Sequence, residues 1–109
     1  MGDLQQLTEA LLNFRDERDW EQFHNSKDLS LALSVEASEL LELFLWKGNE
    51  DVSSERLKEE LGDVLMYAIL LAEKHQLNLD EVIQEKLTQN NQKYPVQKAR
   101  GNATKYDKL

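Results

Sequence analysis

Apolar residues along this chain recur every three to four positions and nowhere settle into strict alternation, so the period is helical. Leu4, Leu7, Leu11 and Phe14 carry that spacing through the first segment and predict a helix from about Asp3 to Asp19. Trp20 to Lys27 reads as a connection rich in aromatic and polar side chains. A second helix is predicted from about Asp28 to Lys47, with Gly48-Asn49 as its stop signal. The third spans about Ser54 to His75, with Ser53 or Ser54 as N-cap. Asn78 opens the fourth. It forms a capping-box pattern with Glu81, and Leu77 and Val82 are placed as a hydrophobic staple. That helix runs to about Lys93, and Tyr94-Pro95 ends it, because proline disfavours helical backbone in the residue before it. Residues 96–109 form a basic tail, with Lys98, Arg100, Lys105 and Lys108 against Asp107. The expected architecture is all-α: one domain over residues 1–109, a four-helix bundle with a basic C-terminal tail.

Composition narrows the options. With 40% hydrophobic and 31% charged residues the chain can build a core, which excludes a disordered polypeptide. At 109 residues that core is small, so association with further copies is expected to complete it. A net charge of −8 argues against a nucleic-acid polymer or an anionic membrane as partner, since both demand a basic face. It suits divalent cations. Cysteine is absent, which removes disulfides and thiolate chemistry. The opening Met1-Gly2-Asp3-Leu4 has no apolar run, so no signal peptide is expected. No stretch approaches the ~18–20 apolar residues of a membrane span. A cytoplasmic location is the expectation.

Two acidic pairs carry the candidate chemistry. Glu36-Ala-Ser-Glu39 lies in the second predicted helix and Glu60-Leu-Gly-Asp63 in the third. Spacing of three residues puts both carboxylates of a pair on one face. Alone that signal is weak, because the chain has 21 acidic residues. The surroundings strengthen it. Leu40 and Leu43 share the arc of Glu36 and Glu39, while Val64, Tyr67 and Leu71 share that of Glu60 and Asp63. Both helices thus direct carboxylates towards a packed interior. Such a group needs raised pKa values, basic partners or metal ions. Lys47, Arg56, Lys58 and Lys74 are the few bases these helices offer. An all-oxygen donor set suits Mg²⁺, with Mn²⁺ as a substitute. Gly62 in mid-helix would let a ligand or backbone come close. The competing account is a solvated groove with no ion. A di-iron centre fits poorly, because it wants Glu-x-x-His pairs, and His24 and His75 lie outside both motifs.

Other residues could hold a nucleotide. Trp20, Phe23 and His24 cluster in the first connection, Trp46 ends the second helix, and Tyr67 follows Asp63 by one turn. Flat rings stack on any base, although core packing accounts for Phe23 better and for Trp46 equally well. Lys86, Asn90 and Lys93 share one face of the fourth helix, followed by Tyr94, Arg100, Lys105 and Tyr106. These form a candidate phosphate clamp or a solvated helix end whose cations complement the helix dipole.

At these residues the sequence resembles the MazG-like, all-α nucleoside triphosphate pyrophosphohydrolases, whose pattern is Glu-x-x-Glu, a spacer, then Glu-x-x-Asp. It is most similar to the dCTP pyrophosphatase branch. The strings that carry this likeness are Glu17 to His24, Glu39 to Lys47, Glu60 to Tyr67, Lys93-Tyr94-Pro95, and Ala99-Arg100 with Lys105-Tyr106. The resemblance implies hydrolysis of deoxynucleoside triphosphates, dCTP foremost, to monophosphate and pyrophosphate, as nucleotide-pool house-cleaning. Glu36, Glu39, Glu60 and Asp63 would hold Mg²⁺, with Glu39 a candidate to orient the attacking water. Trp20, Trp46 and Tyr67 would line the base and sugar pocket, with Phe23 and His24. Asn90, Lys93, Tyr94, Arg100, Lys105 and Tyr106 would bind phosphate, in a homo-oligomer for which a tetramer is favoured over a dimer. Where a relative of this branch has a histidine in its first helix, this chain has Leu11, a departure that bears on base selection. The alternative is a non-catalytic helical module that oligomerises or binds a partner through its apolar faces.

Overall fold

The computed structural model describes residues 2–46 and 52–108. Among them are five α-helices and no strand: α1 (Asp3–Glu17), α2 (Ser26–Glu42), α3 (Ser54–Lys74), α4 (Leu79–Lys93) and α5 (Val96–Ala99). Short 3₁₀ turns cover Glu21–Phe23 and Tyr106–Lys108. The chain divides into two compact units, residues 1–77 and 78–109.

In the first unit α2 packs extensively against α3, and α1 makes a smaller contact with α3. Leu11, Leu29 and Leu70, one from each helix, form the core, with Leu12, Tyr67, Ile69 and Leu71 against it. Leu29 is only 2% exposed, so Leu29→Ala is expected to cost about 2–5 kcal/mol. Few residues are that well covered. Leu7, Leu31, Val35, Leu41, Leu61 and Leu65 remain substantially exposed.

Local chemistry sets the helix limits. α1 stops at Glu17, two residues short of the predicted end. Asp19 turns left-handed at φ 55°. Its N–H donates to the Asp16 carbonyl and that of Trp20 to the Arg15 carbonyl, both at 3.1 Å. This is the Schellman stop, with aspartate where glycine is usual. α2 begins at Ser26 rather than Asp28, because Asn25 is the cap: its Oδ1 accepts from the Asp28 N–H at 2.8 Å. α2 ends at Glu42 and loosens into tighter turns through Leu45, where N–H groups bond three residues back. Lys47 and the expected Gly48-Asn49 stop lie outside the described residues. Ser53 caps α3, accepting from the Arg56 N–H. α3 ends in a second Schellman stop, with Gln76 at φ 56° and the Leu77 N–H on the Ala72 carbonyl at 2.9 Å.

In the second unit Asn78 caps α4 as predicted, its Oδ1 accepting from the Glu81 N–H at 3.2 Å. The tail is not irregular throughout: α5 follows Pro95, which corrects the four-helix expectation to five. Proline at the helix start loses nothing, since the first N–H groups of a helix have no partner inside it. Gly101, at φ 70°, follows the close of α5.

Candidate active site

α2 and α3 bring three of the four predicted carboxylates together. Single oxygens of Glu36, Glu60 and Asp63 all lie within 4.8 Å of one another. Glu36 and Glu60 are half-buried, while Asp63 is exposed, which corrects the expectation that all the acids turn inward. One oxygen of each glutamate, Oε2, is shut off from solvent and has no hydrogen-bond partner. Burial pushes the Glu36 carboxyl up to about 7; a hydrogen bond with Glu39 and the charges of Glu39, Asp63 and Glu60 add to it. Glu60 is raised by burial first and then by Glu39, and Arg56 offsets this only in part. Among the described residues, the salt bridges join Arg15 to Asp16 and Glu21, and Lys58 to Glu55. None reaches the cluster. Buried, orphaned carboxylate oxygens without a cation are costly, and an all-oxygen donor set fits a hard divalent ion. Glu39 stands outside the three-residue group but close enough to perturb both glutamates. Gly62 plays no visible part among the described residues, since a Cβ there would meet none of them within 4 Å.

The aromatic residues separate by role. Trp20 packs edge-to-face on Phe14, with ring centroids 5.7 Å apart and planes at 77°. Phe23 is 63% exposed, so it does not plug the core. His24 is half-buried, with Nδ1 enclosed and unpartnered. Burial and then the Arg15 guanidinium lower its pKa, with Glu21 opposing, which favours the neutral ring. Trp46 is 99% exposed at φ 64°, which removes the core reading and leaves its indole free. Tyr67 is half-buried against the core cluster, one turn beyond Asp63. Leu11, the position that departs from the branch pattern, lies inside that same cluster.

In the second unit Tyr94 and Tyr106 meet edge-to-face at 6.0 Å. The Lys93 and Lys105 ammonium groups lie 4.9 and 5.8 Å from the Tyr106 ring. Four predicted phosphate-binding residues are thereby gathered in one place. Asn90 is half-buried and its carbonyl accepts from the Tyr94 N–H at 2.8 Å. Lys86 and Arg100 are exposed and take no part in this cluster.

Not every hollow belongs to these residues. A groove of about 380 Å³ between the start of α2 and the end of α3 is lined by Leu33, Leu71, Leu77 and their neighbours, and holds none of the predicted site residues. The Ser26 hydroxyl and His75 Nε2, 2.9 Å apart, tie its walls together. Sequence reasoning passed over Arg15, whose carbonyl accepts from the Trp20 N–H, and Arg18, whose guanidinium lies by the Phe14 and Trp20 rings. Arginine three to five residues before or after an aromatic at a helix stop was the available signal.

An all-α scaffold with a carboxylate cluster between two helices defines the class, a helical protein with a candidate metal centre. Residues 31–109 match the MazG-like family. The chain is 40% identical over 114 residues to dCTP pyrophosphatase 1 of Mus musculus, which covers 97% of this chain and 67% of that protein. It is 37% identical to dCTP pyrophosphatase 1 of Homo sapiens, with the same coverage. A crystal structure of a pyrophosphatase from Archaeoglobus fulgidus matches with a TM-score of 0.76 at 32% identity, covering 87% of this chain and 94% of that one. The chain belongs to the MazG-like family.

Proposed function

We propose that this protein is a dCTP diphosphatase-like nucleoside triphosphate pyrophosphohydrolase: it hydrolyses deoxynucleoside triphosphates, dCTP foremost, to the monophosphate and pyrophosphate. The observation that carries this reading is the convergence of Glu36, Glu60 and Asp63 with two enclosed, unpartnered oxygens. Its setting in a family whose curated relatives are named dCTP pyrophosphatase 1 supports the substrate class. Mg²⁺, or Mn²⁺ in its place, would be held by Glu36, Glu39, Glu60 and Asp63, and would supply Lewis-acid polarisation of the phosphoryl oxygens. The chain's own groups do the rest. Glu39, outside the tight group, accepts a hydrogen bond from the attacking water. Trp20 and Trp46 offer exposed ring faces to the base, and Tyr67, braced by the core, limits the sugar pocket with Phe23 and neutral His24. Lys93 and Lys105, with Asn90, Tyr94, Arg100, Tyr106 and Lys86, take the phosphates. Leu11 offers no hydrogen bond from α1, so base selection leans on stacking and shape.

The functional unit is the whole of residues 1–109 in a cytoplasmic homo-oligomer, a tetramer before a dimer. The exposed leucines and valine of the first unit support this, as apolar surface that a further copy would cover. The same observation favours a second reading, a non-catalytic oligomerisation module. Pyrophosphate release from dCTP with Mg²⁺ decides between the two. Hydrolysis is expected in the native chain and lowered by roughly 10²–10³-fold in Glu36→Gln and in Asp63→Asn, and near-native activity in both variants would remove the ligand assignment. The module predicts no gain in melting temperature on adding Mg²⁺.

A further inference from the structure

Trp20 ends a helix and also presents an indole 43% open to solvent. Its backbone is fixed by the stop of α1, in which its N–H binds the Arg15 carbonyl and Asp19 turns left-handed. In such stops the residue two beyond the cap often touches an apolar residue in the last turn, and Phe14 fills that role here, with its ring edge-to-face on Trp20. A contact of that kind needs only an apolar side chain. What surrounds Trp20 goes further. The Arg18 guanidinium lies 3.8 Å over the Phe14 ring and 6.0 Å from the Trp20 ring, and its Nη1 donates to the Phe14 carbonyl at 2.9 Å. Gln22 Nε2 donates to both the carbonyl and the carboxylate of Asp19, at 3.0 and 2.9 Å, which braces the residue before the indole.

We propose that Phe14 and Arg18 are positioning residues that hold the Trp20 indole at a fixed angle as a platform for the nucleobase. The inference rests on the base-stacking role of Trp20 in the reaction proposed above. A ring already locked in place loses less freedom when a base settles on it, and that saving appears as affinity. The Arg18 cation is engaged by two aromatic rings and a carbonyl, which assigns it to the rings rather than to the phosphates. The contribution therefore belongs to binding of the base and not to bond cleavage.

The test is kinetic and spectroscopic, on the full chain. Arg18→Ala and Phe14→Leu are expected to raise KM for dCTP by about 3–10-fold, a fraction of the affinity a stacked base supplies, with kcat little changed. The inhibition constant of dCMP should rise in step while that of pyrophosphate stays put. Phe14→Tyr, which keeps the ring, should match the native enzyme. Unchanged KM, a fall in kcat instead, or an equal loss of pyrophosphate inhibition overturns the proposal, the last because it marks Arg18 as a phosphate contact. A second arm needs no turnover. With Trp46→Phe leaving Trp20 as the one indole, Arg18→Ala should make its fluorescence more readily quenched by acrylamide, and unchanged quenching with intact helical dichroism overturns the positioning role. Failure of the native chain to release pyrophosphate from any deoxynucleoside triphosphate overturns the function proposed above, while the quenching arm still decides whether Arg18 holds the ring.

Discussion

Glu36, Glu60 and Asp63 converge from α2 and α3 with no ion pair to neutralise them among the described residues, whereas Lys93 and Lys105 converge on the Tyr106 ring, which already offers a partner. Both are like-charge clusters at candidate binding positions. The acids are partly enclosed, with two oxygens cut off from water, so their repulsion is felt at low effective dielectric. The lysines are exposed, screened by water and salt, and rest against an aromatic quadrupole. The acidic cluster is therefore the one that a cation would relieve. The basic cluster is stable as it stands and available to an anion. A partly enclosed group of like charges with orphaned oxygens points to a ligand more strongly than an exposed and satisfied one.

The sharpest way to break that contrast is to remove charge from the acidic side. Glu36→Gln, Glu60→Gln and Asp63→Asn are each expected to lower Mg²⁺-dependent kcat by roughly 10²–10³-fold, the scale of losing a principal electrostatic group at a reacting centre. The same Glu36→Gln should melt at a higher temperature than the native chain when both are free of metal, because repulsion is relieved. Activity and stability moving in opposite directions would separate a metal site from a structural ion cluster. Calorimetry beside a pyrophosphate assay measures both.

Acidity probes the cluster next. The Glu36 carboxyl titrates near 7 in the folded protein against an ordinary 4.5, through burial and its acidic neighbours. A carboxyl whose pKa is raised on folding binds more protons in the native state, so its contribution to stability is intact below the lower value and is lost as pH rises through the higher one. Without metal the melting temperature should therefore fall between about pH 5 and pH 8, and saturating Mg²⁺ should remove the fall. A metal-free melting temperature that rises across that window contradicts the reading.

On the basic side the effects should be smaller and of a different kind. Lys93→Ala and Lys105→Ala are each expected to raise KM for dCTP by about 3–10-fold, an exposed charge-assisted contact being worth roughly 1 kcal/mol. The loss should shrink at high salt, while the melting temperature barely moves. Backbone changes come last. Gly62→Ala should add up to about 1 kcal/mol of stability, because alanine favours helix and none of the described residues crowds the position. Loss of activity or assembly in that variant would show that a ligand or a second copy approaches there. Gln76→Gly should add a few tenths to about 1 kcal/mol by relieving the left-handed turn at φ 56°.

Much of this could be read from residues. Helical periodicity placed α1, α3 and α4 within a residue or two, because caps such as Ser53 and Asn78 act over four residues and need no tertiary partner. α2 starts two residues before the predicted Asp28, because Asn25 caps it, and ends at Glu42, well before the predicted Lys47. α5 was overlooked, since four residues beyond a proline carry too little periodicity to register. Phe23 and Trp46 show the limit for aromatics: the sequence favoured core packing for one and left it equal for the other, and both are exposed.

The sequence by itself determined the helical class, the acidic pairs and the likeness to the MazG-like family, because each depends on spacing within a few residues. Only tertiary structure decided which carboxylates meet, that Glu36 and Glu60 each enclose an oxygen while Asp63 faces solvent, and that Arg18 and Phe14 frame Trp20. Periodicity fixes the face on which a side chain stands. Whether that face is covered, and by what, depends on how neighbouring helices pack and where each helix stops, and no local pattern carries that information.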